Sequence, residues 1–180
     1  MISVQMNDAA ADSVGTFVSV GGGGVLDGSV PELRERAQAG VVRCGEVVVF
    51  ADQVERATRP LGNSVDLTQW EVDASSFHLD DFVPVDKGLR DELGVPMISE
   101  GDQRRVLVQG LMLALCIARC GHSLNEPIAL RCIIGANTTG GTFRFHRVRP
   151  GEQWHSADLD GYGAAEEEKV IVVETILSDR

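Results

Sequence analysis

Residues 106–118 read Val-Leu-Val-Gln-Gly-Leu-Met-Leu-Ala-Leu-Cys-Ile-Ala, the most apolar run in the chain. Ser99 is placed as an N-cap with Asp102 three residues later, and Gly121 follows as a stop signal, which predicts a helix over about 101–120. Such a helix is apolar almost all round, as is typical of one buried against a sheet. The run is shorter than the roughly 20 residues that span a bilayer, so we expect a core helix. Gly110 predicts the close approach of another backbone.

Three strands are predicted after this helix. Ile128–Ile134 and Thr142–Val148 form a hairpin joined by the glycine-rich residues 135–141, and Val170–Ile176 is a final strand. The predicted fold is therefore α+β, a mainly antiparallel sheet packed on one central buried helix, within a single domain over 1–180.

Weaker signals precede the helix. A helix capped by Ser29 is predicted to run to about Gln38 and to stop at Gly40. The remaining predictions are strands at Gly15–Val20, Val41–Phe50 (in mid-sheet) and Asp66–Val72, a mobile turn at Gly21–Gly24, a helical turn at Asp52–Arg59, a loop at Ser75–Pro84 and a short helix at Asp86–Leu93.

The charge of the chain limits the kinds of partner that we expect. The 180 residues include 27 acidic against 16 basic side chains, a net charge of −11. An acidic surface repels phosphate backbones and anionic lipids, so we expect no nucleic-acid or membrane partner and favour a basic protein. The first residues lack a basic region before an apolar run, so we expect no secretory leader and a cytoplasmic protein.

No complete cofactor, metal or catalytic signature occurs. Gly21–Gly24 lacks the third glycine of a dinucleotide fingerprint and the Lys-Ser/Thr of a P-loop, so we expect no nucleotide and no other cofactor. Cys116, Cys120 and His122 have the spacing of a partial zinc site without further ligands, and buried thiols are the favoured interpretation. Cys132 alternates with strand residues that face the core, so it is not predicted to be a nucleophile.

The segment Phe143–His155 is unusually rich in Arg, His and Trp for an acidic protein. Arg144 and His146 share one strand face, and Glu152 with either histidine is a possible acid–base pair. Three interpretations stay open: an ordinary exposed strand face, a protein-binding face, and a catalytic or small-ligand site. Binding is favoured over catalysis because Trp, Tyr and Arg dominate interface hot spots.

Acidic loops near Asp80 and Asp81 and at 166–168 are further candidates for contact with a basic partner. The proposed partner-binding residues are Asp80, Asp81, Arg144, His146, Arg147, Glu152, Trp154, His155 and Tyr162.

These features favour a binding module of the class of bacterial immunity proteins, which neutralise a toxin by covering its active site. This hypothesis rests on analogy of charge and fold class. The alternative is a small enzyme or ligand-binding protein that uses Arg144, His146, Glu152 and His155. A third possibility is an acidic chaperone or adaptor.

Overall fold

A five-stranded antiparallel sheet forms the centre of the molecule, with strand order β1-β9-β7-β8-β4. The computed structural model describes residues 1–15, 29–58, 64–162 and 168–177. The elements are β1 (Ile2–Met6), α1 (Asp8–Val14), α2 (Pro31–Ala39), β2 (Val41–Cys44), β3 (Val47–Phe50), a 3₁₀ segment (Ala51–Thr58), α3 (Leu67–Ser75), β4 (Phe77–His78), a 3₁₀ turn (Leu79–Asp81), β5 (Leu89–Arg90), β6 (Pro96–Met97), α4 (Glu100–Ser123), β7 (Leu130–Asn137), β8 (Gly140–Arg147) and β9 (Lys169–Thr175).

Helix α4 is the predicted central helix, and it packs on one face of the sheet. Ser99 caps it, because its hydroxyl accepts a hydrogen bond of 3.1 Å from the Asp102 amide. The helix continues past Gly121, where the sequence predicted its end. A Cβ at Gly121 would lie 2.7 Å from the Leu130 side chain, so this glycine permits close packing on β7 and does not end the helix. The α+β prediction with a buried central helix is confirmed.

Within the described ranges, α4 is the one helix long and apolar enough to cross a bilayer by length and composition. Of its apolar window, 61% is buried inside the protein. It therefore packs as the core helix of a soluble protein does, against β7, β9 and α1.

The hairpin after α4 has longer strands than predicted. Gly135 pairs with Thr142, and Asn137 pairs with Gly140, so the predicted loop over 135–141 shrinks to Thr138 and Thr139. The small side chains at these positions allow strand pairing to continue where the glycine-rich sequence predicts a loop. Strand β9 lies at Lys169–Thr175, close to its predicted position.

The prediction of a strand at Asp66–Val72 is wrong, because these residues begin α3. The Asp66 carboxylate accepts a hydrogen bond from the Gln69 amide, an N-cap that the sequence analysis did not use. The short helix predicted at Asp86–Leu93 is also wrong. That region holds the β5–β6 hairpin, whose turn is fixed by the Asp91 carboxylate, which accepts from the amides of Leu93 and Val95.

Val41–Phe50 forms two strands, β2 and β3, which turn at Gly45 (φ 62°) and pair only with each other. The expectation of a mid-sheet strand is therefore wrong. This hairpin packs beside the main sheet through Phe50, whose ring centroid lies 4.9 Å from that of Phe145. The loop predicted at Ser75–Pro84 is largely wrong, because Ser75 ends α3, Phe77–His78 is β4 and Leu79–Asp81 is a 3₁₀ turn. The helical turn expected after Asp52 is confirmed as the 3₁₀ segment Ala51–Thr58.

The predictions for the amino-terminal residues are confirmed only in part. Strand β1 and helix α1 were not predicted, and Gly15, the first residue of a predicted strand, instead caps α1 with φ 58°. The rest of that strand and the turn at Gly21–Gly24 lie outside the described residues. Helix α2 ends at Gly40 as predicted, but Val30, not Ser29, is its N-cap residue.

A buried carboxylate connects α3 to two strands. Glu71 is fully buried and accepts hydrogen bonds from the amides of Val48 (2.8 Å) and Arg147 (2.7 Å). Arg149 donates to both of its oxygens at 2.7 Å. Burial alone lowers the pKa of Arg149, but the hydrogen bond and charge of Glu71 outweigh it, and the pKa is raised. Glu71 thus fixes the edges of β3 and β8 to one helix.

We predict opposite effects of two glycine substitutions in α4. Gly110→Ala should destabilise the protein by about 1–3 kcal/mol, because the new Cβ would lie 2.7 Å from Ile134 and 2.9 Å from Leu79, both fully buried. Gly101→Ala should leave stability unchanged or raise it by up to about 1 kcal/mol, since its Cβ would meet only Ser99 at 3.7 Å. Denaturant unfolding of both variants checks this. Equal effects would contradict the packing of α4 on β7.

Candidate functional site on the second face of the sheet

The sheet has a core face against α4 and a second face with a different composition. Pairing registers place one row of side chains from β9, β7 and β8 on the second face: Glu174, Arg131 and His146. The next row is Val172, Ile133 and Arg144. The sequence prediction that Arg144 and His146 share a face, opposite Phe143 and Phe145, is confirmed.

Residues 152–162 cover part of this second face. Glu152 anchors the segment, because its carboxylate accepts hydrogen bonds from the amide (3.1 Å) and hydroxyl (2.6 Å) of Thr68 in the first turn of α3. A helix N-terminus has free amide donors and favours a negative charge, so this contact is stabilising. Leu159, with Trp154 and Tyr162, then packs on a small apolar cluster, Ile133, Val170 and Val172. Residues 152–162, which we call the roof, therefore cover the second face in part, so Arg144 and His146 do not lie on a fully exposed strand face.

A cavity of about 120 Å³ lies between this roof and the sheet. The guanidinium of Arg144 stacks on Trp154, 4.6 Å from the ring centroid, and donates to the Thr142 hydroxyl at 2.9 Å. Burial lowers the pKa of Arg144, while the charge of Glu168 acts in the opposite direction. The lining residues are Ile133, Gly135, Thr142, Arg144, Trp154, His155, Tyr162, Glu168 and Val170.

His146 lies beneath the roof and is fully buried. Its Nδ1 donates to the Arg147 carbonyl at 2.8 Å, which leaves Nε2 as the acceptor of a neutral ring. Burial, with the charges of Arg131, His155 and Arg149, lowers the pKa of His146 to about 4. The pKa of His155 is also lowered, by burial and by Arg131. Both rings are therefore uncharged at neutral pH.

Three buried nitrogen atoms on this side of the sheet have no hydrogen-bond partner among the described residues: Arg144 Nε, His146 Nε2 and His155 Nδ1. A buried polar atom without a partner costs about 1–3 kcal/mol, so native proteins rarely keep several together. Two of the three belong to residues that line the cavity.

The structure brings together four of the nine residues proposed from the sequence: Arg144, Trp154, His155 and Tyr162. Glu152 is not among them, because it caps α3, and the predicted acid–base pair of Glu152 with a histidine is not formed. Arg147 points to the core-face side and pairs with Glu46 at 3.6 Å. The sequence analysis placed Glu168 in an acidic loop for contact with a basic partner and did not predict its place in this cavity. Only the pairing of β9 with β7, which places Lys169 opposite Ala136, brings that carboxylate over Gly135.

The two acidic candidates have different environments. Asp80 is nearly buried; it pairs with Lys87 at 2.7 Å and accepts from the Gly141 amide at 3.0 Å. Burial raises its pKa, but these hydrogen bonds outweigh that effect and the pKa is lowered. Asp80 therefore fixes the chain locally. Asp81 is exposed.

A second surface feature was predicted only in part: Asp80 and Asp81 were proposed as partner-binding residues in a loop, whereas Asp86–Leu93 was predicted to be a helix. We call residues 80–97 the acidic arm; it has five acidic and two basic side chains. Its hairpin exposes three large apolar side chains: Leu89 (51%), Leu93 (89%) and Val95 (45%). The Asp91 carboxylate holds the turn that presents Leu93. Asp91 followed three residues later by Gly94, a pairing typical of a β-turn, was the available signal for this hairpin.

Cys116 and Cys120, for which buried thiols are the favoured interpretation, are partly buried. In the part of the chain that the structure describes, no group of three or more His, Cys, Asp or Glu side chains is placed to hold a metal ion. Burial raises the pKa of the Cys116 and Cys120 thiols. Cys132 is fully buried in the core, as its strand position predicted.

Fold and site together define an α+β protein with a roofed polar sheet face and an acidic, apolar-tipped hairpin. The chain belongs to the Uncharacterized protein PM0498 family, whose model matches residues 26–176. The match runs from before α2 to the residue after β9, so it includes the cavity and the acidic arm. No curated protein and no solved structure matches the chain significantly.

We predict that His146 makes stability depend on pH. Its pKa is lower in the folded protein than in the unfolded chain, so only the unfolded state binds this proton between about pH 6.5 and about pH 4. Stability should therefore fall by up to about 3 kcal/mol as pH decreases through that window. His146→Gln should remove this part of the dependence, whereas His122→Gln, at an exposed position, should not. Denaturant unfolding from pH 7.5 to pH 4 measures both. Identical slopes for His146→Gln and the wild type would show that His146 is not held neutral.

Proposed function

We propose that this protein is an acidic binding module of the cytoplasm that covers a basic surface on a partner protein, as bacterial immunity proteins cover the active site of a toxin. The observation that carries the proposal is the exposed, rigid and apolar tip of the acidic arm. Leu93 is 89% exposed on a turn held by two hydrogen bonds to Asp91. A soluble protein gains nothing in its own stability from such a side chain, whereas a partner with an apolar pocket would bury it.

Rigidity of the tip favours binding further. The Asp91 backbone also pairs with Gly94 and Val95, and the Arg90 guanidinium donates to the Gly94 carbonyl at 3.0 Å. A turn that already has its bound conformation loses little conformational entropy on association. Leu93, at the tip, is therefore suited to act as an anchor residue.

Charge complements the apolar anchor. The acidic arm has exposed acidic side chains at Asp81, Asp86 and Glu92, and the chain as a whole has a net charge of −11. Opposite charge on a partner speeds encounter and excludes acidic competitors. The expected partner is thus a protein with a basic surface that contains an apolar pocket, a description that fits the substrate cleft of a toxin acting on nucleic acid.

The enzymatic alternative receives less support from the geometry. The Glu152 carboxylate is engaged with Thr68, and the His146 ring is fully buried. A general acid or base must reach the proton that it transfers, and neither side chain is placed to do so.

The proposal predicts that Leu93→Asp weakens partner binding at least tenfold, because the anchor side chain would bring a charge into an apolar pocket. Val65→Asp is the matched control, since Val65 is 88% exposed but lies outside the acidic arm. A basic partner identified by capture from cell lysate would be purified and its affinity for both variants measured by calorimetry. Melting temperatures of both variants should equal that of the wild type.

Two charge reversals extend the same test. Asp81→Lys with Glu92→Lys should lower the association rate and flatten its dependence on salt, with a smaller effect on dissociation. If the partner is a toxin, co-expression of the wild type but not of Leu93→Asp should restore growth. A partner that binds Leu93→Asp as tightly as the wild type, or one without a basic surface, would contradict the proposal.

A further inference from the structure

The cavity under Trp154 lies on the second face of the sheet and is separate from the acidic arm that carries the proposed partner binding. Its lining contains one positively charged and one negatively charged side chain. Arg144 supplies a guanidinium and Glu168 a carboxylate, and both side chains line the same space. A ligand that matches this lining must itself carry both charges.

The guanidinium of Arg144 is placed to bind a carboxylate. Its plane stacks on Trp154 and one terminal nitrogen is held by Thr142, so the side chain is oriented before any ligand arrives. An arginine fixed in this way retains in-plane donors for the oxygen atoms of a planar anion.

The carboxylate of Glu168 reaches the cavity because residue 135 is glycine. A Cβ at Gly135 would lie 2.6 Å from Glu168 Oε1, so any other residue there would displace the acid. A carboxylate has about four acceptor positions, so it accepts more than one hydrogen bond at a time. His155 also lines this cavity.

Size limits the ligand. A cavity of about 120 Å³ is somewhat smaller than the roughly 150 Å³ that accommodates benzene in an engineered protein, which corresponds to about six non-hydrogen atoms. A second cavity of about 90 Å³ adjoins it past Gly135, Thr142 and Glu168 and leaves room for a short polar side chain.

We propose that this cavity binds a small α-amino acid, with its carboxylate on Arg144, its ammonium group on Glu168 and its aliphatic part against Trp154. The site is independent of the acidic arm, so either proposal stands if the other fails.

Three related ligands test the charge requirement: L-alanine, propionate, which lacks the ammonium group, and ethylamine, which lacks the carboxylate. Titration of the wild-type protein, followed by calorimetry and by Trp154 fluorescence, should give saturable binding of L-alanine. Propionate and ethylamine should each bind at least tenfold more weakly, because each lacks one of the two charges. Trp154→Phe should remove the fluorescence change, since the second tryptophan, Trp70, is buried in α3.

Two variants assign the charges to side chains. Arg144→Gln should weaken L-alanine and propionate at least tenfold. Glu168→Gln should weaken L-alanine at least tenfold but leave propionate binding unchanged or tighter, because a repulsive charge is removed. Arg104→Gln, exposed on α4 at the other side of the sheet, should change neither. If Arg144→Gln does not fold, Arg144→Lys replaces it, because lysine keeps the positive charge but loses the bidentate geometry of the guanidinium.

No saturable signal with L-alanine overturns the proposal. Propionate binding as tight as that of L-alanine also overturns it, since the ammonium group would then have no site. Loss of L-alanine binding in Glu168→Gln with propionate binding retained supports it.

Discussion

The buried carboxylate of Glu71 is the contact on which the arrangement of this protein depends. It accepts hydrogen bonds from Val48 on β3 and Arg147 on β8, and from both terminal nitrogens of Arg149. Removing one partner from such a buried pair typically costs about 3–5 kcal/mol, although the intact pair adds little net stability over an apolar replacement. The role of Glu71 is therefore geometric: it gives two strand edges a defined partner and places α3 between the β2–β3 hairpin and the main sheet.

The candidate site depends on the same helix. Arg149 is fixed by Glu71, and three residues later Glu152 is fixed by Thr68, one turn earlier on α3. The chain must then cross the second face of the sheet, where Trp154 meets Arg144. Two hydrogen-bonded contacts of charged side chains, Arg149 with Glu71 and Glu152 with Thr68, hold the roof in place. The roof therefore encloses a polar cavity that a loop without such contacts would leave open. The acidic arm lies elsewhere and is held by a separate carboxylate, Asp91, so the two surfaces are free to serve different ligands.

Long, strongly patterned elements were predictable from the sequence, and short ones were not. Helix α4 and strands β7, β8 and β9 follow from hydrophobic pattern and glycine positions. The sequence predicts a strand at Asp66–Val72, which carries Trp70, but the structure has a helix there in which the polar residue Glu71 is fully buried. Its partners are far away in sequence, and no local pattern reveals them. The same reason explains the site: Arg144 and Trp154 are near neighbours in sequence and were grouped correctly, whereas Glu168 joins them only through the pairing of β9 with β7.

Amide hydrogen exchange at Val48 and Arg147 tests the role of Glu71 most directly. Both amides bond to a side chain instead of a neighbouring strand, and edge amides of that kind exchange quickly unless their acceptor is held as firmly as the core. We predict that in the native protein both exchange as slowly as the central amides of β7, and that Glu71→Gln accelerates the two together by at least tenfold relative to β7. Fast exchange of either amide in the wild type, or a variant in which only one of them responds, would contradict a single carboxylate connecting the two strands.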